Sequence, residues 1–132
     1  MFEGLSISGS GMAVHKTWMD AISDNVANIN TVRRTSEPAF QSRYVVAQAI
    51  EDGGTGAWVA VTGVALSGTQ GRLVSDPGNP LADAKGLVRM PDVDLGEQLT
   101  TMIMAQRGYQ ANISQLDRVR ESYQAAIQMG RN

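Results

Sequence analysis

A heptad pattern runs through the last third of the chain and restricts what that part can become. Leu95, Met102, Tyr109, Leu116 and Tyr123 recur at every seventh position, and Leu99, Gln106, Ile113, Arg120 and Ile127 form a second row between them. Steps of three and four residues put both rows on one side of an α-helix, so the pattern predicts a helix packed lengthwise against another helix. Gln106 and Arg120 interrupt the second row and can fix register at some cost in stability. No proline follows Pro91, and Asp92 and Asp94 supply an acidic first turn, with Glu97 at capping-box spacing from Asp94. A helix from Asp94 to Met129 would be roughly 54 Å long at 1.5 Å per residue. That exceeds the core of a single domain of 132 residues. Such a helix needs a partner from its own chain, from neighbouring chains, or from both.

The other end carries a second amphipathic helix, expected over residues 1–31. Leu5, Met12, Met19 and Val26 form one heptad row, and Ser8, His15, Ile22 and Ile29 the other. Gly4, Gly9 and Gly11 weaken its first third, each by about 1 kcal/mol relative to alanine. That part is expected to order only on contact. Asn25, Asn28 and Asn30 favour a turn at its end.

Residues 32–93 change character. Val32 to Pro38 reads as a polar loop. Phe40–Ile50 and Trp58–Leu66 are rich in β-branched and aromatic residues and predict two strands of a hairpin around the glycine-rich turn 51–56. Asp76-Pro77-Gly78-Asn79-Pro80 is a further turn, and Leu87-Val88 a short extended piece. The expected fold is therefore mainly α with a small β insert. The N-terminal helix and the long C-terminal helix, residues 94–132, form an antiparallel coiled-coil-like hairpin with the insert at its far end.

Composition narrows the chemistry. A net charge of -2 gives no footprint for nucleic acid or an anionic membrane. The absence of cysteine excludes disulfides and thiol catalysis, and the single His15 leaves a zinc site without ligands. His15 with Asp20 and a serine would share one helix, which cannot build a catalytic triad. Gly53-Gly54-Thr55-Gly56 lacks the Gly-Lys-Ser/Thr of a phosphate loop. Asp92 and Asp94 are explained by helix capping. No enzyme activity, metal, cofactor, nucleic acid or small-molecule substrate is expected. No apolar run approaches the roughly 20 residues of a membrane helix. Met1-Phe2-Glu3 is acidic where a cleaved secretory signal is basic. Residues alone therefore point to an interaction protein with amphipathic ends.

Three segments carry a resemblance. The run from Asp76 through Pro77, Gly78, Asn79, Pro80 and on to Asp94 resembles a hallmark of the FlgC family of flagellar basal-body rod proteins. Met104-Ala105-Gln106-Arg107-Gly108-Tyr109-Gln110-Ala111-Asn112 is similar to that family's Ala-x-Arg-x-Tyr-Gln-Ala-Asn signature. Asn25, Ala27 and Asn28 match the Asn-x-Ala-Asn motif shared by rod and hook axial proteins. The loop that follows, Val32 to Pro38, departs from the family's glycine-rich basic turn. The resemblance implies a structural subunit of the proximal rod, the drive shaft that transmits motor torque. It implies neighbours such as FlgB, FlgF and FlgG and further copies of the chain itself. It also implies passage through the flagellar type III export apparatus without signal cleavage, and residence in the periplasm-spanning rod. The apolar heptad residues then become expected subunit contacts: Leu5, Met12, Met19, Ile22, Val26 and Ile29 on the first helix, and Leu95, Leu99, Met102, Tyr109, Ile113, Leu116, Tyr123 and Ile127 on the second. The alternative is a soluble helical adaptor or chaperone-like interaction protein.

Overall fold

The computed structural model describes residues 2–51, 53 and 57–131. Helix α1 spans Phe2–Ala27 and helix α2 spans Leu95–Met129. Between them lie β1 (Arg43–Glu51), β2 (Ala57–Leu66), β3 (Arg72–Ser75) and β4 (Leu87–Met90). The architecture is mainly helical with a β insert, as the pattern predicts. The expected turn residues Gly54, Thr55 and Gly56 lie outside the described residues.

The helices form an antiparallel hairpin held in one register. Asn25 of α1 bonds to Gln98 of α2. His15 packs over Gly108, and Gly11 lies under Asn112. Each step up α1 between these contacts is matched by an equal step down α2. Both contact lines follow the three-four spacing of a lengthwise seam: Gly11, His15, Ile22 and Asn25 on one helix, Gln98, Ala105, Gly108 and Asn112 on the other. Ile22, Asn25, Gln98 and Ala105 are buried. At α2's start, Asp94 caps the helix by accepting the Glu97 N–H at 2.8 Å. At its other end α2 outruns α1. From Arg120 to Arg131 every residue is exposed.

The insert differs from the expected far-end placement. β1 and β2 pair antiparallel with a bulge between Val46 and Ala47, where Thr62 is the extra residue of β2. This ribbon folds back along α1. Its base is tied to Asn25, and the Val59 N–H donates to Ser10 Oγ at 3.1 Å. Fifteen helical steps from Ser10 to Asn25 and six strand steps from Arg43 to Ala49 both cover roughly 20 Å, so the spans match. Only the second part of the insert sits at the end of the hairpin. There β3 pairs antiparallel with β4. Residues 32–38, expected as a polar loop, are tied to β4 through Arg33: Arg33 and Arg89 exchange backbone hydrogen bonds of 2.8 and 2.9 Å. The Arg89 guanidinium donates to the carbonyls of Thr35 and Gln70.

β3 was hidden in the sequence among turns. Gly71 makes it possible: at φ +55 it takes a left-handed backbone, and a Cβ there would collide with the Met90 carbonyl and Ala39. Ala39, Ser42, Val88 and Pro91 of the insert are buried, as are Ile22, Asn25, Gln98 and Ala105 of the helices, and it is β1 and β2 that pack on α1. The core is therefore a joint where the C-terminal half of α1, the N-terminal half of α2 and the β insert meet.

Candidate functional site

The joint is built around one amide. Asn25 is 1% exposed, and its Nδ2 donates to the Arg43 carbonyl at 2.9 Å and to Gln98 Oε1 at 3.0 Å. Its Oδ1 accepts the Arg43 N–H at 2.8 Å. One side chain thus ties α1 to the first residue of β1 and to the first turns of α2. Asp24 adds an ion pair to Arg43 at 3.3 Å. Asn28 closes the end of α1 locally: its amide donates to the Asp24 carbonyl at 2.9 Å and its Oδ1 accepts from the Thr31 hydroxyl. Ala27, between them, is exposed.

The proline-bracketed motif is a pair of side-chain-to-backbone turns. Asn79 donates to Asp76 Oδ2 and accepts the Leu81 N–H, both at 3.0 Å. Pro77, Gly78 and Pro80 shape the turn between them and line the surface. Asp83 then accepts the Lys85 and Leu87 N–H groups and the Thr35 hydroxyl. These bonds, that of Leu87 foremost, hold its carboxyl below the usual carboxylate range. The turn is a brace between residue 35 and β4.

On α2 the signature divides by face. Asn112 is half-buried on the seam and donates to the Gly108 carbonyl at 2.9 Å, and Tyr109 is half-buried beside it. Arg107, Gln110 and Ala111 are exposed.

The expected contact residues also fall into two groups. Ile22 is buried, and Leu5, Met12, Met19, Val26, Ile29, Met102, Tyr109 and Leu116 are half-buried within the chain. Leu95, Leu99, Ile113, Tyr123 and Ile127 are exposed, Leu99 at 51% and Ile127 at 49%. At 100° per residue, Leu95, Leu99, Ile103 and Ile113 cluster roughly a third of a turn from the α1-facing line, whereas Ile127 falls on the line of Tyr109, past the end of α1. α2 therefore carries two adjacent stripes. One is small and polar and faces α1. The other is aliphatic and uncovered. Tyr123 continues the first stripe beyond the point where α1 runs out.

The ribbon carries further exposed apolar side chains that the heptad analysis missed. Tyr44, Val46, Trp58, Val61, Val64 and Leu66 are exposed on two strands with no charge between Arg43 and Glu51 or within β2. The absence of charge over these strands was the available signal. By the strand register Tyr44 and Val46 lie on one face of the ribbon and Val64 and Leu66 on the other, so both faces carry exposed apolar side chains.

Among the described residues, no cluster of three or more His, Asp or Glu side chains could hold a metal ion. Among the same described residues, no helix is long and apolar enough to cross a membrane.

Comparison with known proteins agrees with this arrangement. Residues 84–129, which comprise β4 and α2, match the family described as flagellar basal body rod FlgEFG protein C-terminal. The flagellar basal-body rod protein FlgC of Salmonella typhimurium is 35% identical over 126 residues, covering 94% of this chain and 93% of that protein. FlgC of Escherichia coli O6:H1 is 34% identical with the same coverage. FlgC of Aquifex aeolicus is 30% identical over 129 residues, 97% of this chain and 96% of that protein. The shared length takes in both helices, the amide joint and the whole insert, and the chain belongs to the FlgC family of flagellar basal-body rod proteins, the structural subunits of the rod.

Proposed function

We propose that this chain is a subunit of the proximal rod and that its uncovered faces bind neighbouring axial subunits. The observation that carries the reading is the aliphatic stripe of α2, left open although α2 already has a partner helix in its own chain. A shaft that transmits torque needs contacts that propagate from subunit to subunit rather than close on themselves. A helix with one stripe for its own chain and another for a neighbour meets that need. The neighbours are FlgB, FlgF, FlgG and further copies of this chain. The overhanging end of α2, with Tyr123 and Ile127 exposed, carries the α1-facing side on past its partner helix and leaves it open to a neighbour.

Export by the flagellar type III apparatus, without a cleaved signal, fits a chain with few buried aliphatic side chains among its described residues. The ends of the hairpin have little core of their own. They are expected to fray in the isolated chain and to be held by neighbours in the rod. The role is mechanical and calls for no catalysis.

The test is Ile113→Asp in α2, with Thr100→Asp, exposed on a face of the same helix outside both stripes, as the control. Ile113 is 38% exposed, so the aspartate leaves the in-chain seam intact. The reading expects unchanged helical circular dichroism, loss of swimming and loss of the chain from isolated basal bodies for Ile113→Asp alone. Normal swimming and normal incorporation of Ile113→Asp would refute it.

A further inference from the structure

The α1–α2 seam contains a reciprocal fit that has no counterpart in an aliphatic heptad seam. On α1, Gly11 is followed four residues later by His15. On α2, Gly108 is followed four residues later by Asn112. The helices run antiparallel, so each glycine faces the other helix's planar side chain. A Cβ at Gly11 would lie 2.8 Å from Asn112 Oδ1 and 3.0 Å from Nδ2. A Cβ at Gly108 would lie 2.8 Å from His15 Nδ1, and closer still to two other ring atoms.

Neither planar group is free to swing aside. The His15 ring stacks on Trp18 with centroids 6.0 Å apart and planes at 26°, and its Nδ1 is buried. The Asn112 amide is tied to the Gly108 carbonyl. The two halves are thus coupled: the glycine that receives the imidazole also supplies the carbonyl that aims the amide at Gly11.

We infer that Gly11, His15, Gly108 and Asn112 form a register lock that admits only one alignment of α1 on α2. A slip of one heptad would set His15 against Thr101 or Gln115, and each of those carries a Cβ. Aliphatic rows tolerate such slips, because one leucine packs much like another. The lock specifies which helix α1 accepts: one offering a glycine opposite His15 and a small planar amide four residues further on. By fixing the rotation of α2, it also aims the aliphatic stripe outward. This last consequence rests on the proposed role of that stripe; the lock itself does not.

The test exploits a change of sign. Alanine is the better helix former, so Gly108→Ala should stabilise α2 if nothing opposes the methyl group. The lock predicts the reverse in the wild-type background, a lower urea midpoint for the full chain. In a His15→Ala background, Gly108→Ala should raise the midpoint. A second readout follows register directly. Cysteines at Ile22 and Thr101, which line one cavity, should form a disulfide in the otherwise unaltered chain. The disulfide should be lost on Gly108→Ala and recovered on adding His15→Ala. A rise in the midpoint on Gly108→Ala in both backgrounds, or a disulfide that persists in the Gly108→Ala variant, would overturn the lock.

Discussion

Replacing Asn25 by alanine removes three hydrogen bonds at once and leaves their partners in place. The Arg43 N–H, the Arg43 carbonyl and Gln98 Oε1 each lose a partner, and Gln98 is only 3% exposed. A polar group buried without a partner costs about 1–3 kcal/mol. Water entering the vacated space relieves part of that, so the expected loss is about 3–5 kcal/mol, near the low end of the sum. This is a large share of the roughly 5–15 kcal/mol that holds a domain together. With a urea dependence of about 2 kcal/mol per molar, the midpoint should fall by roughly 1.5–2.5 M. Tryptophan fluorescence follows it, because Trp18 lies beside the joint. Asn28→Ala is the control. It breaks bonds within the end of α1 and its turn, on a half-buried side chain, and should cost about 1 kcal/mol. A double-mutant cycle of Asn25→Ala with Gln98→Ala should return a coupling of about 1 kcal/mol or more. If Asn25→Ala costs no more than Asn28→Ala, the amide is not what joins the three elements and the reasoning fails.

Two further predictions concern the β insert. Gly71→Ala places a side chain at φ +55 against the Met90 carbonyl, so amide exchange across β3 and β4 should accelerate sharply while the seam of α1 and α2 stays protected. Asp83 has its carboxyl lowered from an ordinary value of 3.8, so its contribution is present above about pH 4 and is lost as pH falls through the lower, folded-state range. The β3–β4 region should therefore loosen first on acidification, and Asp83→Asn should remove that pH dependence. An Asp83→Asn variant with the wild-type acid profile would contradict this assignment.

Hydrophobic periodicity exposed both helices and half of their use. It found Met102, Tyr109 and Leu116, which flank the seam, and it found Leu99, Ile113 and Ile127, which the chain leaves uncovered. It placed Ser8, His15 and Ile22 of the seam on a heptad row of α1, but it missed Gly11 and Asn25 there and Gln98, Ala105, Gly108 and Asn112 opposite them. Small residues let the helices approach closely and amides bond across them, and neither property registers as an apolar stripe. The return of the ribbon along α1 was equally hidden. It depends on Asn25 bonding the backbone of Arg43, 18 residues further along the chain, and local pattern carries no information at that range. The strand β3 escaped because four residues beside Gly71 and the Asp76–Pro80 turn read as more turn.

The central claim is that α2 serves its own chain with one stripe and its neighbours with the other. The absence of native cysteine permits a direct measurement in living cells. A single cysteine at Ile113 samples the outer stripe, and one at Ala105, buried in the seam, is the control. A thiol-to-amine cross-linker is applied and the adducts in basal bodies are identified. The account predicts Ile113→Cys adducts with other rod subunits in the envelope fraction and none from Ala105→Cys. Adducts from Ala105→Cys, or Ile113→Cys found only as a cytoplasmic monomer or homodimer, would contradict it.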